Sequence, residues 1–191
     1  LAEACAEAAR VRETPIREFH IVGGLHPKLR ISYYEDLIRG LKERYPGVEV
    51  KALTAVEIAH LARIEKTSVE AVLTRLRAAG LDSMPGGGAE VFSLNVRQTI
   101  AKRKLAADEY LDVHRQAHAM GIPTNCTMLY GHVETLEDRV EHLRMLRDLQ
   151  DETGGFLAYI PLAYHPDDNA LGEKLGRRGT STTGYDDLRN L

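Results

Sequence analysis

Along this chain, short apolar stretches with strand character take turns with longer ones whose apolar positions recur every three or four residues. Ile16 to Gly23, Val48 to Leu53, Leu81 to Met84, Thr124 to Tyr130 and Phe156 to Ala163 are compact and read as strands. Helical spacing predicts helices at about Ser32–Tyr45, Glu57–Arg63, Val69–Ala79, Asn95–Arg103 and Asp108–Met120. Another starts at Thr135 and carries Val140, Leu143, Leu146 and Leu149 on its apolar face. Leu1 to about Val11 reads as a helix already under way. Ser32-Tyr-Tyr-Glu35, Thr67-Ser-Val-Glu70 and Thr135-Leu-Glu-Asp138 have the form of capping boxes. Pro46-Gly47, Gly80 and Gly121 stop the helices before them. The stretch from Asp167 to Thr183 reads as a long loop, and Thr183-Gly-Tyr-Asp186 opens a last helix.

Strand and helix alternate five times, so the fold class is α/β. Right-handed crossovers of this kind build a parallel sheet with helices outside it. Five barrel strands alone leave unpaired edges, so residues 1–191 are expected to be the central part of a single barrel domain.

The strand ends carry the candidate chemistry. In parallel α/β barrels the C-terminal strand ends face the active site. Gly23-Gly24 ends the first strand, where backbone without Cβ atoms lets a ligand approach closely, and His26-Pro27 follows. Pro85-Gly-Gly-Gly-Ala-Glu90, with Gly87 and Gly88 in its middle, follows the third strand. Tyr130-Gly-His-Val-Glu134 and His165-Pro166 follow the fourth and fifth. Glu57, Glu90 and Glu134 each stand a few residues past a strand. A single such glutamate is ordinarily a solvated surface group, but three in equivalent places are candidates for ribose hydroxyls or an ammonium group. His20, His60, His114, His118 and His142 fall inside helix or strand patterns and are expected to be structural or exposed.

A net charge of −3, with 43% hydrophobic and 28% charged residues, is ordinary for a globular domain and points to neither nucleic acid nor membrane as partner. No apolar run approaches a membrane span. Cys5 and Cys126 are too far apart in sequence to look like a disulfide framework, which fits the cytoplasm. No histidine–carboxylate spacing fits a metal site, and no nucleophile elbow, phosphate loop or Schiff-base lysine at a strand end appears. An ordinary barrel hydrolase or aldolase is therefore disfavoured.

Taken together, His20-Ile-Val-Gly-Gly-Leu-His-Pro27, Lys51-Ala-Leu-Thr-Ala-Val-Glu57, Gly80-Leu-Asp-Ser-Met-Pro-Gly-Gly-Gly-Ala-Glu90, Thr124-Asn-Cys-Thr-Met-Leu-Tyr-Gly-His-Val-Glu134 and Leu149-Gln-Asp-Glu-Thr-Gly-Gly-Phe156 resemble the aminodeoxyfutalosine synthases. These are radical S-adenosylmethionine enzymes of menaquinone biosynthesis. The resemblance implies a partial parallel (β/α) barrel of that type, covering about strands 2 to 6. It implies a 4Fe-4S cluster and S-adenosylmethionine as cofactors, and a reductant such as flavodoxin or ferredoxin. The family's reaction adds the 5′-deoxyadenosyl radical to 3-[(1-carboxyvinyl)oxy]benzoate, giving aminodeoxyfutalosine, bicarbonate and methionine. By the same resemblance Gly23, Gly24, Glu57, Tyr130 and Glu134 are placed on the cofactor side, and His26, Gly87, Gly88, Glu90 and His165 on the substrate side. The family's Cys-x-x-x-Cys-x-x-Cys triplet is absent, and a cluster needs several thiolates together, so its ligands are expected outside this chain, which alone would be inactive. The cyclic dehypoxanthine futalosine synthases and the enzymes that form the deazaflavin chromophore share parts of the pattern. A non-catalytic nucleotide-binding module is the alternative from another class.

Overall fold

A computed structural model describes residues 2–11, 14–101 and 104–176. In chain order the elements are α1 (Ala2–Ala9), β1 (Glu18–Ile21), α2 (Ile31–Arg44), β2 (Glu49–Ala52), α3 (Ala55–Glu65), α4 (Val69–Ala79), α5 (Leu94–Ile100), α6 (Ala107–Ala119), β3 (Thr124–Tyr130), α7 (Leu136–Thr153), β4 (Phe156–Ala163) and α8 (Ala170–Leu175). β1 pairs in parallel with β2, and β3 with β4. The segment 81–84 joins the two pairs through parallel bridges, Lys51 to Ser83 and Met84 to Thr124. The strand positions thus run β1, β2, 81–84, β3, β4, as expected of a partial parallel barrel wall. The segment 81–84 is too short to count as a strand of its own. Its carbonyls nevertheless take strand-like partners: Ser83 O accepts from Ala52 N at 3.1 Å and Met84 O from Asn125 N at 2.9 Å.

The helices cover one face of this sheet. Val50, Ala52 and Cys126 from the strands pack with Ile38, Leu41, Ile58, Leu73, Leu76 and Leu149 from the helices in one apolar core. Each buried leucine-sized side chain contributes about 1.5–3 kcal/mol, so the helix-facing residues hold the wall together. A second cluster, Val91, Val96, Met128 and Tyr130, sits beneath α5.

Local signals account for most boundaries. Ser68 accepts from Ala71 N at 3.1 Å and starts α4, so the cap lies one residue after Thr67. Thr135 and Asp138 form the expected reciprocal cap of α7. The Ser32–Glu35 box does not form. Instead α2 begins at Ile31, whose amide donates to Glu65 Oε1 at 3.0 Å, and Glu35 turns inward to a two-point contact with Arg75 of α4. Within the stretch expected to be loop, α8 is capped by Asn169, which accepts from Gly172 N at 2.9 Å. On α7 only the later half of the expected stripe is covered, since Leu146 and Leu149 are buried while Val140 and Leu143 are exposed. The helix expected from Thr183 lies outside the described residues. No helix among the described residues is long and apolar enough to cross a membrane.

Three histidines are structural. His114 Nδ1 and His118 Nε2 both meet the Thr124 hydroxyl, at 2.8 and 2.9 Å, and His118 Nδ1 meets Thr153 Oγ1 at 2.7 Å. His142 accepts from Phe92 N at 3.2 Å, so its other nitrogen donates to Thr127 O at 2.9 Å. Burial pushes His118 and His142 down to about 4 and His114 to about 3, from 6.5. These groups are neutral when folded but take up protons on unfolding, so the unfolded state binds more protons between these values. Stability is therefore expected to be full above pH 6.5 and to fall as the pH drops towards 4. Urea denaturation at pH 7, 6 and 5 reads this directly, and His142→Gln should flatten the slope.

Candidate functional site

Because every strand pair is parallel, all the strand C-termini open on one edge, and the candidate site residues lie at or just beyond those ends. The first two loops are tied by one carboxylate. Just past β2, Leu53 sits in the left-handed region at φ 62°, a strained conformation for a branched residue. Thr54 then caps α3, its hydroxyl accepting from Glu57 N at 3.3 Å. Glu57 Oε2 accepts from both the Thr54 amide and hydroxyl at 2.8 Å. Its other oxygen crosses to β1 and accepts from Gly23 N at 3.1 Å. Glu57 thus closes a capping box and hooks the glycine loop onto it.

Above this hook lies a cavity of about 580 Å³, lined by Gly23, Gly24, His26, Tyr33, Tyr34 and Glu57 among others. A Cβ on Gly24 would meet nothing within 4 Å, so the glycine faces open space. His26 Nδ1 accepts from the amides of Lys28 and Leu29, at 3.2 and 3.1 Å. Those donors fix the neutral tautomer, leaving Nε2–H to donate. Burial, and after it the Glu57 charge, raises the Tyr34 phenol above its usual value, so Tyr34 stays a protonated donor. The two tyrosines escaped notice in the sequence, where Tyr34 reads as part of the apolar stripe of α2. The aromatic pair Tyr33-Tyr34, in the first turn of the helix that follows His26-Pro27, is the signal that locates them.

The glycine run packs closely against its neighbours. A Cβ at Gly86 would meet the backbone of Asn125 and Cys126 at 2.7 Å, and one at Gly88 would meet Val56 Cγ2 at 2.4 Å. This loop is held from within by Arg97, which is buried and donates to the carbonyls of Ala89 at 2.5 Å and of Val91 at 3.4 Å, and to that of Leu105. Glu90, with φ 52°, forms an ion pair with Lys104. Gly87 and Gly88 therefore lie against the start of α3, beside the Glu57 hook, while Glu90 turns to a partner of its own.

At the end of β3, Glu134 takes the amides of Gly131 and His132 at 2.5 and 2.9 Å and the Arg139 guanidinium at 2.9 Å. Burial pushes its carboxyl up, but these amide bonds outweigh that and hold it ionised, below the usual range. His132 is neutral through burial: its Nδ1 accepts from Val133 N at 2.7 Å and Nε2 faces Leu129 O at 2.9 Å. The ring of Tyr130, expected on the cofactor side, is buried in the cluster beneath α5 with the Arg139 guanidinium over it at 5.3 Å. His165 is exposed just beyond β4.

The structure thus gathers Gly23, Gly24, His26 and Glu57 around one cavity, and places Gly87 and Gly88 beside it and Glu90, Glu134 and His165 along the same edge. The three glutamates already hold protein partners, so their first role is to shape the loops. Fit to a nucleotide-sized ligand is good at the glycine cavity. Fit to an iron–sulfur cluster is not: the described residues hold no group of three His, Cys, Asp or Glu side chains able to take a metal, and Cys126 is buried, which pushes its thiol up to about 12.

Residues 1–146 match the model of the radical SAM superfamily. The chain belongs to this superfamily. It is 56% identical over 176 residues to the aminodeoxyfutalosine synthase of Thermus thermophilus, covering 92% of this chain and 47% of that protein. The namesake from Streptomyces coelicolor is 42% identical, with 99% and 50% covered. A 5-amino-6-(D-ribitylamino)uracil–L-tyrosine 4-hydroxyphenyl transferase of Methanosarcina acetivorans is also 42% identical, with 90% and 46% covered. The chain spans about half the length of the curated relatives it matches. Enzymes of this superfamily use S-adenosylmethionine and a 4Fe-4S cluster, and the glycine cavity opens at the C-terminal strand ends, the edge on which parallel barrels carry their sites.

Removing the Glu57 carboxylate leaves the Gly23 and Thr54 amides without their acceptor. Glu57→Ala is expected to cost about 1–3 kcal/mol and to speed hydrogen exchange at those two amides. Glu57→Gln, which keeps one oxygen, should lie between it and the parent.

Proposed function

We propose that these residues are the central barrel segment of an aminodeoxyfutalosine synthase that works in the cytoplasm and draws electrons from a flavodoxin- or ferredoxin-like reductant. The single observation that carries this is 56% identity to such an enzyme over 92% of the chain. S-adenosylmethionine, when bound, supplies the adenosyl group that is transferred to 3-[(1-carboxyvinyl)oxy]benzoate. The cluster that activates it takes its thiolates from outside these 191 residues.

The geometry supports the following roles for the chain's own groups. Gly23 and Gly24 present backbone to the methionine end, and Gly23 is held at the right depth by Glu57. The Gly23 carbonyl has no hydrogen-bond partner among the described residues, which suits an ammonium donor. The buried Glu57 charge favours the same cation. The Tyr130–Glu134 loop, with its amides gathered by Glu134, offers backbone to the adenosine. On the substrate side, His26 Nε2–H is a donor at the cavity rim, joined by the Gly87–Gly88 backbone, Glu90 and His165. The tyrosine 4-hydroxyphenyl transferases at 40–42% identity supply the competing reading, a related enzyme whose named transfer is of a hydroxyphenyl group and not of the adenosyl group.

Incubating the full-length, cluster-loaded protein with S-adenosylmethionine, reductant and the enol-ether benzoate should give an adenosyl adduct. Free 5′-deoxyadenosine without adduct would favour the competing reading. Gly24→Val should leave the denaturation midpoint unchanged, because its Cβ meets open space, yet weaken S-adenosylmethionine binding by tenfold or more, about 1.4 kcal/mol.

A further inference from the structure

The face of the sheet turned away from the helices carries a charged cluster outside the glycine cavity. Phe19, Val50 and Ala52 pack with the helices, so strand alternation puts Glu18, His20, Glu49 and Lys51 on the opposite face. In register, His20 stands opposite Lys51, which bridges to Ser83, and the Glu18–Glu49 pair lies one layer nearer the strand starts. Glu18 holds both residues of the layer above it. One oxygen accepts from Lys51 Nζ at 2.5 Å and the other lies 3.4 Å from His20 Nδ1. Glu49 is engaged separately, accepting from Ser83 Oγ at 2.5 Å.

This arrangement is costly for a merely structural role. Lys51 is only 8% exposed, and burying an ammonium is unfavourable even when it is paired. Barrel interiors are ordinarily filled by branched apolar side chains, and a valine at this position would avoid the cost. The ammonium has three N–H donors, yet Glu18 is its one side-chain partner among the described residues, and His20 Nε2 has none there. The same face ends in bare apolar surface. Tyr159 and Pro161 of β4 align with the helix-facing Cys126 and Met128, so Ile160 and Leu162 face the other way, at 36% and 45% exposure.

The geometry points to Lys51 and His20, braced by Glu18, as a subsite for the carboxylate of a substrate with a flat apolar body. The inference rests on the transferase reading, which makes the substrate an aromatic acid. Lys51 donates a charge-assisted hydrogen bond to the carboxylate, and His20 stands beside it in the same layer, its Nε2 facing no partner among the described residues. Glu18 compensates the ammonium before the ligand arrives and keeps both side chains in one layer. The ring rests towards Ile160 and Leu162.

The test is calorimetry on the full-length, cluster-loaded protein with S-adenosylmethionine and no reductant, so that binding is read without turnover. Lys51→Gln should weaken 3-[(1-carboxyvinyl)oxy]benzoate at least tenfold and leave S-adenosylmethionine affinity unchanged. The parent protein should prefer the diacid to its dimethyl ester, and the variant should lose that preference. Should Lys51→Gln misfold because Glu18 is left unpaired, Glu18→Gln/Lys51→Met removes both charges and gives the same readout. A folded variant that binds the diacid as the parent does overturns the inference, as does a parent that binds diacid and ester alike. A parent that binds the diacid through Lys51 but yields no adduct once reductant is added leaves the subsite standing and removes the transferase reading.

Discussion

The Glu57 carboxylate sets the geometry of the mouth. Its two oxygens take the Gly23 amide, the Thr54 amide and the Thr54 hydroxyl, at 3.1, 2.8 and 2.8 Å. Those contacts fix the ends of two neighbouring strands relative to each other. They also give Leu53 a reason to hold φ 62°: the strain re-aims the chain so that Thr54 starts α3 with Glu57 under the glycine loop. A non-glycine residue at 23 would bring its Cβ to 3.1 Å from the carboxylate oxygen, so the hook and the absent side chain require each other.

The same device recurs along the edge. Glu134 gathers two successive amides at the end of β3, and Arg97 gathers the carbonyls of the glycine run from the opposite sign of charge. In each case backbone groups hold a buried or half-buried ion, and Glu134 adds an opposite side chain, Arg139. Hydrogen bonds to charged groups are worth about 1.5–3 kcal/mol, enough to hold loops that have little apolar packing of their own. The consequence for function is that the loops enter ligand binding already shaped, with less ordering entropy to lose.

The order of elements was legible because strand length, helical spacing and glycine stops all agree along this chain; β3, β4 and α4 match their expected bounds. The failures have physical causes that differ from place to place. Glu35 has the spacing of a capping residue, but Arg75 on a neighbouring helix offers a bidentate partner. The segment 81–84 has strand composition yet only bridges its neighbours, because the chain turns at Met84-Pro85 into the glycine run. α8 hides in a polar stretch since its start rests on one asparagine cap rather than on apolar periodicity. At the site, the sequence located the loops but not which atoms of them are free. That three glutamates are engaged by amides and cations, that Tyr130 points into the helix layer, and that Tyr34 borders the cavity all depend on which side of a strand or helix each residue faces.

Facing also separates the chain's two kinds of polar group. On the helix side, His114, His118 and His142 are neutral, bonded to hydroxyls and carbonyls, and serve packing. On the other side, Glu18, Lys51 and Glu49 carry formal charge in a place where an apolar residue would cost less. Desolvation penalises both groups of residues alike, so the difference lies in what the second group does with its remaining donors. A wall that needed only to be covered would bury Lys51 against carbon; a wall that recognises an acid needs an ammonium held in register and not fully satisfied. The Glu18 bridge meets both demands at once, since it compensates the charge while leaving two of the three ammonium hydrogens for a ligand.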